Sequence, residues 1–240
     1  MGVDFLINLA AGVALLVLGY ASRRSVLVVK TRNERRLWRA LRSNVELKVA
    51  ITTRPGPLNR STPRVSLNEV RVLTGVIPTL LRLRIRYSLI DSFVRDISVA
   101  AHCNLLILGG PGVNELSAAG LKVLGPRLPA GFDLSEVAIT ISNRRYSPTY
   151  DESGAVTKDY GLVIRARNPF SDDSSLSAIF VMGCHGYGTG GAANLLTTEK
   201  LAAELLNQVN DGAFLAIVGV TVAGAGYLTE IEEIYRLVTV

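Results

Sequence analysis

The sequence predicts an α/β fold: a Rossmann-like three-layer domain with a mostly parallel sheet and a small antiparallel insertion, preceded by one transmembrane helix. Three observations predict it. Over residues 45–240, short runs rich in Val, Leu and Ile alternate with segments of helical periodicity, as in strands joined by crossover helices. Two of those runs end in glycine-rich loops that lead into helices. Residues 5–20 read FLINLAAGVALLVLGY, with Asn8 the one strongly polar side chain. At 48% hydrophobic residues the chain can bury a sheet, and its composition is not that of a disordered polypeptide.

With Val3, Ala21 and Ser22 the first apolar run approaches the roughly 20 residues of a membrane span. A signal peptide would carry positive charge ahead of that run, where only Asp4 stands. Positive charge follows instead, at Arg23, Arg24, Lys30 and five arginines from Arg32 to Arg42. The positive-inside rule then puts the N-terminus outside and the domain on the cytoplasmic side of the plasma membrane. Residues 1–22 are the expected anchor, 23–44 a basic amphipathic stem and 45–240 the domain. Leu37, Trp38 and Leu41 share one helical face opposite arginines, which suits a short helix on the inner leaflet or one packed on its own domain. Residues 1–100 hold 17 Lys/Arg against 6 Asp/Glu, and residues 101–240 hold 9 against 14. The basic half faces the expected membrane, which favours anionic lipid as a partner. Nucleic acid is disfavoured, because the basic stretches lack interleaved aromatics and no nucleic-acid-binding motif is present.

Along the domain, Glu46–Thr53 reads as the first strand, and residues 54–63 (RPGPLNRSTP) as a long turn-rich loop. Ser66 and Glu69 make a capping box that opens a helix to about Arg82, with a break expected near Pro78. Leu83–Ser88 reads as a strand and Ile90–Val99 as a short helix. Leu105–Leu108 is the third strand, followed by Gly109-Gly110-Pro111-Gly112-Val113-Asn114 and a helix to about Leu124. Val137–Ser142, Ala155–Thr157 and Gly161–Ala166 read as strands of an antiparallel insertion. Ala178–Met182 is a further core strand, Ala192–Asn207 its helix, and Phe214–Val222 and Ile234–Val240 the last strands. Such alternation implies right-handed crossovers and a parallel core.

Ligands of open α/β sheets bind beyond the carboxyl ends of the strands. The candidate contacts are therefore Gly109, Gly110 and Asn114 in the first loop, and Gly186, Gly188 and Thr189 in the second. Open N–H groups at a helix start suit a phosphate or other anion. The acidic residue that a dinucleotide site carries about 20 residues further on is missing from Phe214–Val222. Glycines that serve tight turns and close helix–strand packing are the alternative. His185 is the candidate catalytic residue, a general acid/base or phosphate contact, with Asp159 or Glu69 as groups to orient it. Cys184, near a helix start, is a candidate for a lowered pKa. Arg54 is a further ligand candidate at the same edge. Arg165 and Arg167 share a strand face, to neutralise an anion, face solvent or pair structurally. Ser117 and Ser135 have no nucleophile-elbow context. His102-Cys103 begins a strand and Cys184-His185 ends one, so at about 3.3 Å per residue the pairs stand roughly 15–20 Å apart. That excludes a shared zinc and a disulfide. The residues identify no cofactor.

The segments Leu106–Asn114 (LILGGPGVN), Asp159–Phe170 (DYGLVIRARNPF) and Gly183–Thr189 (GCHGYGT) together resemble uncharacterised prokaryotic membrane-anchored Rossmann-like proteins. The resemblance covers roughly residues 45–240. GGPxxN with a Gly-x-x-x-x-Gly-Thr strand exit is similar, over a shorter stretch, to domains of archaeal surface-layer proteins. The chain departs from those in its basic flank and in having no secretion signal. The resemblance implies the fold and supplies no activity. The function expected is a membrane-tethered cytoplasmic domain that binds a nucleotide-like or other anionic small molecule for sensing or signalling. The alternatives are a membrane-bound hydrolase-type enzyme using His185, and a non-catalytic structural or partner-binding domain.

Overall fold

A computed structural model of the protein describes residues 31–54, 64–92, 97–224 and 226–237. It opens with helix α1 (Arg32–Leu37) and a 3-10 turn at Arg39–Leu41. These form the stem, for which the inner leaflet and the domain itself are the two expected neighbours, and the structure corrects the placement on the leaflet in favour of the domain. Leu37, Trp38 and Leu41 are at most 1% exposed, inside the core of the domain itself. Trp38 Nε1 donates to the Leu196 carbonyl at 2.8 Å. The Asn33 and Glu34 N–H groups donate to the Glu199 carboxylate at 3.0 and 3.1 Å. An apolar face already buried in its own domain has nothing left to offer a lipid surface. The expected anchor over residues 1–22 lies outside the described residues. Among the described residues no helix is long and apolar enough to cross a membrane. The single N-terminal span, the membrane partner and the plasma-membrane location are therefore not supported.

The sheet is mixed, and this too departs from expectation. Strands β1 (Leu47–Ile51), β4 (Tyr87–Asp91), β5 (Asn104–Leu108) and β11 (Ser177–Gly183) run parallel in the order β4-β1-β5-β11. Beyond β11 the order continues β10 (Val156–Arg167), β12 (Phe214–Ala223) and β13 (Gly226–Arg236), all paired antiparallel, and β9 (Thr149–Tyr150) adds to β10. Antiparallel pairings are the majority, and those of β10–β11, β10–β12 and β12–β13 are longer than any parallel one. Loop length is the physical reason. Nine residues separate Arg167 from Ser177, too few for a parallel crossover of a dozen or more. Ala223 pairs with Gly226 across a two-residue turn in which Gly224 has φ +58°. The segments read as Ala155–Thr157 and Gly161–Ala166 of an insertion are one twelve-residue strand in the middle of the sheet.

Two short antiparallel sheets complete the strands. One pairs β2 (Thr53–Arg54) with β3 (Arg64–Val65). The other joins β6 (Ala130–Asp133), β7 (Ala138–Ile141) and β8 (Arg144–Tyr146). One face of the main sheet packs on α1, α2 (Leu67–Arg82), α5 (Gly186–Thr197) and α6 (Glu199–Val209) through Val76, Leu80, Leu195 and Leu205. The other packs on α3 (Ser98–Ala101), α4 (Glu115–Leu124) and β7 through Ala100, Leu116 and Ile139. Helix α2 starts with the expected capping box, Glu69 N–H to Ser66 Oγ at 3.2 Å and Ser66 N–H to Glu69 Oε2 at 3.0 Å. It runs unbroken through Pro78, whose ring is on the exposed side.

Trp38→Ala is expected to lower stability by about 3–5 kcal/mol in chemical denaturation, the range for emptying a large core site. A loss below about 1 kcal/mol would show that the α1 segment is peripheral to the domain.

Candidate functional site

Strands β1, β5 and β11 end side by side. The chain leaving β1 enters α2, and the chain leaving β11 enters α5, both on one face. The chain leaving β5 enters α4 on the other. Connections that diverge to opposite faces open a crevice at the strand ends, the topological switch point of an open sheet. A cavity of about 340 Å³ lies there. Its walls are Ser66, Asn68 and Glu69 at the start of α2, the loop Gly109–Val113, residues 183–186 with Thr189, and Phe132–Leu134 with Val137 from the β6–β7 turn.

Of the residues singled out in the sequence, Gly109, Gly110, His185, Gly186 and Thr189 line this cavity, so the two glycine loops meet. Asn114 does not line it. Its Oδ1 accepts from Ser117 N–H at 2.9 Å and its Nδ2 donates to the Leu108 carbonyl at 2.8 Å. Both ends of the amide are thus used to cap α4 and fasten it to β5. Gly188 is buried in the first turn of α5, against β10. Arg54 sits in β2 opposite Arg64, and its side chain lies outside the described residues. Arg165 is near the end of β10 away from the cavity, paired with Phe214 of β12. It is 3% exposed, donates to the Leu37 and Gly212 carbonyls, and burial lowers its pKa to about 10. Arg167 donates to the Asp172 carbonyl. Neither arginine reaches the cavity.

The second glycine loop is shaped by packing. A Cβ on Gly188 would stand 2.0 Å from the Tyr160 carbonyl oxygen, and one on Gly183 2.1 Å from the Thr189 nitrogen. A Cβ on Gly186 would meet the Asn68 amide at 1.9 Å. Helix α5 therefore rests directly on β10 and β11, and its start touches the start of α2. The open N–H groups expected to bind phosphate have a partner from within the chain. Asp159, fully buried on β10, accepts from Gly188 N–H at 2.5 Å, Tyr160 N–H at 2.8 Å and His185 N–H at 3.2 Å. Burial raises its pKa despite those bonds and the nearby His185 ring.

The other two helices follow the same rule. Glu69 sits at the third position of α2 and Glu115 at the first of α4. Each helix dipole at the crevice thus has its own carboxylate. No Lys or Arg lines the cavity among the described residues. The N–H groups of Gly110 and Gly186 and the Asn68 amide have no hydrogen-bond partner among the described residues.

His185 Nε2 lies 2.7 Å from Tyr150 Oη. No activated nucleophile stands beside it among the described residues. Burial, with the Asp159 charge second, pushes the Cys184 thiol up to about 12, the reverse of the lowering expected at a helix start. Ser66 Oγ is held in its capping box. His102-Cys103 and Cys184-His185 stand at opposite ends of the paired parallel strands β5 and β11, and both cysteines are free. The described residues hold no cluster of three or more metal-ligating side chains.

Three features of the site escaped the sequence reading: the α2 start as a wall, the β6–β7 turn as another, and Asp159 as a cap. Val137 at that turn holds φ +49°, an unusual value for a β-branched residue. No protein-family model matches the chain, and no curated protein sequence does.

Two outcomes follow from the buried groups. Cys184 should resist alkylation by iodoacetamide at pH 8 in the folded protein and react on unfolding; rapid labelling of the native state would contradict the raised pKa. Asp159 has a folded pKa above its unfolded value of 3.8, so the folded state holds the proton more tightly. Its contribution makes stability fall as pH rises from about 4 through the raised pKa, after which it is flat. Urea midpoints measured across that range should lose this part of the slope in Asp159→Asn.

Proposed function

We propose that the protein is a small-molecule-binding module in a sensing role, and that its cavity takes a neutral, hydroxyl-rich molecule with a flat or apolar body, of nucleoside or aryl-glycoside type. The observation that carries this reading is the carboxylate at each of the three helix starts. Asp159, Glu69 and Glu115 supply the negative charge that a phosphate would otherwise bring. With Glu69 and Asp133 in the wall and no Lys or Arg there among the described residues, a phosphorylated ligand would meet like charge. The donors that remain open, Gly110 N–H, Gly186 N–H and the Asn68 amide, suit neutral acceptors. Pro111, Val113, Phe132 and Leu134 offer the apolar side of the pocket. Binding without turnover agrees with a protonated Cys184 and a His185 engaged by Tyr150.

The test is a melting-temperature screen of the full chain against nucleosides, their 5′-monophosphates, NAD and sugar phosphates. A ligand at about 100 times its Kd adds about 2.7 kcal/mol of stability. Neutral members are expected to shift the melting point more than their phosphate esters. Leu134→Trp, at a wall position 59% exposed, should abolish the shift without touching the core. A larger shift from the phosphorylated members would overturn the reading.

A further inference from the structure

A second concave site lies at the other ends of the same strands. The chain approaches β1 through Arg42-Ser43-Asn44 and the neighbouring β4 through Arg84-Ile85-Arg86. The two approach segments together line an open pocket of about 540 Å³. Leu47 pairs with Tyr87 in the parallel register, so this pocket stands at the strand starts, away from the crevice at the strand ends. Three of its six lining residues are arginines, and none of the six is acidic.

Both segments are fastened. Leu47 N–H donates to the Arg86 carbonyl at 2.9 Å, and the Arg86 guanidinium donates to the Asn44 carbonyl at 2.7 Å. Ser43 Oγ accepts from the Asn104 amide at 2.8 Å and from Val45 N–H at 3.2 Å. Arg42, Arg84 and Arg86 are exposed and form no ion pair among the described residues. The carboxylates of the adjoining segments are engaged elsewhere, Glu34 by Arg82 at 2.6 Å and Glu46 by Lys48 at 2.5 Å. Like charges thus share one concave place with no counter-charge from the chain.

Arg84 supplies the second observation. It follows α2 in a Schellman turn, where Arg84 N–H donates to the Leu81 carbonyl at 3.0 Å and Ile85 N–H to the Leu80 carbonyl at 2.9 Å. That turn sets residue 84 at φ +57°, the left-handed region in which glycine is the usual residue. A cation near a helix end suits the dipole, but Arg82 in the last turn already provides one. The side chain of Arg84 is exposed and has no hydrogen-bond partner among the described residues, so the fold gains nothing visible from the strained arginine.

We propose that Arg42, Arg84 and Arg86 bind a small molecule bearing a diphosphate group, at a site separate from the crevice. Guanidinium groups present paired N–H donors that match phosphate oxygens two at a time. Three of them suit a diphosphate better than a single carboxylate. No aromatic side chain lines the pocket to stack a base, which disfavours a single nucleic-acid strand. The two sites divide by charge, with carboxylates at the helix starts around the crevice and arginines at the opposite strand ends. The inference does not depend on what the crevice binds.

The test titrates inorganic pyrophosphate into the full chain by calorimetry at low ionic strength. Arg42→Gln, Arg84→Gly and Arg86→Gln should each weaken binding by about tenfold or more, the loss expected for one charge-assisted contact. Arg71→Gln, at an exposed arginine of α2 outside the pocket, should leave it unchanged. Without ligand, Arg84→Gly should melt at least as high as the wild type, because glycine relieves the left-handed backbone. A lower melting point would give Arg84 a structural role and overturn the site. An equal loss in Arg71→Gln would reduce the binding to net charge and overturn it too, as would no pyrophosphate binding at all. Tighter binding of single-stranded oligothymidylate than of pyrophosphate, lost in the same three variants, would assign the arginines to a nucleic-acid backbone instead.

Discussion

The first turn of helix α5 lies on β10 and β11 through glycine backbone, and one buried carboxylate holds its start in place. Asp159 takes N–H groups from Gly188, Tyr160 and His185, and so joins a central strand, a loop and a helix dipole at one point. Burying a carboxylate is costly, and breaking such an arrangement usually costs more, because the donors are then left dry. Close contact and the cap depend on each other. Glycines at 161, 183 and 188 let the helix come near enough for Asp159 to reach it, and Asp159 satisfies the donors that the close approach removes from water. Where α5 begins sets where His185 and Gly186 stand, and these form one side of the cavity.

The same local economy recurs at the other helices and gives the crevice its character. Ser66 and Glu69 close the start of α2, and Asn114 with Glu115 closes the start of α4. Three converging helix starts would form a strong anion trap if they were bare. Here each dipole is neutralised by a carboxylate of the chain, so the crevice is rich in donors yet not positive. Selectivity then turns on desolvation. A dianion must shed its hydration for partners that are already engaged, whereas a neutral molecule needs only the few open donors and an apolar wall.

Much of the fold was legible in the sequence, because strand position is a local property. Asn104–Leu108, Ser177–Gly183 and Phe214–Ala223 lie within a residue or two of the apolar runs that announce them, and the capping box at Ser66 forms as its spacing requires. Strand direction is not local. It follows from the nine residues between Arg167 and Ser177 and the two between Ala223 and Gly226, and hydropathy alone does not weigh them. The stem misled for a related reason. Leu37, Trp38 and Leu41 demand an apolar neighbour without saying whether it is lipid or the core of the domain. Glycine loops carry the same ambiguity, since a backbone that approaches a phosphate and one that approaches a strand use the same residue. Asp159 was noticed only as a partner for the His185 side chain; its bonds run to backbone N–H groups, and backbone partners leave no trace in a residue pattern.

The pair of threonine hydroxyls that follows β1 is the clearest case of information that exists only in three dimensions. Thr52 and Thr53 are the same residue, adjacent in the chain, and both are buried. One hydroxyl donates to Asp91 and the other lies against Gly109 with no hydrogen-bond partner among the described residues. A fold selected for stability alone would favour valine at position 52, as β-branched and buried as threonine but without an unmet donor. Local conflicts of that kind, like the left-handed Val137 at the β6–β7 turn, are where function is to be sought. Here the conflict falls at the switch point of the parallel strands, beside Gly109. Position and missing partner thus point to one place in the molecule, and they do so without any reference to charge.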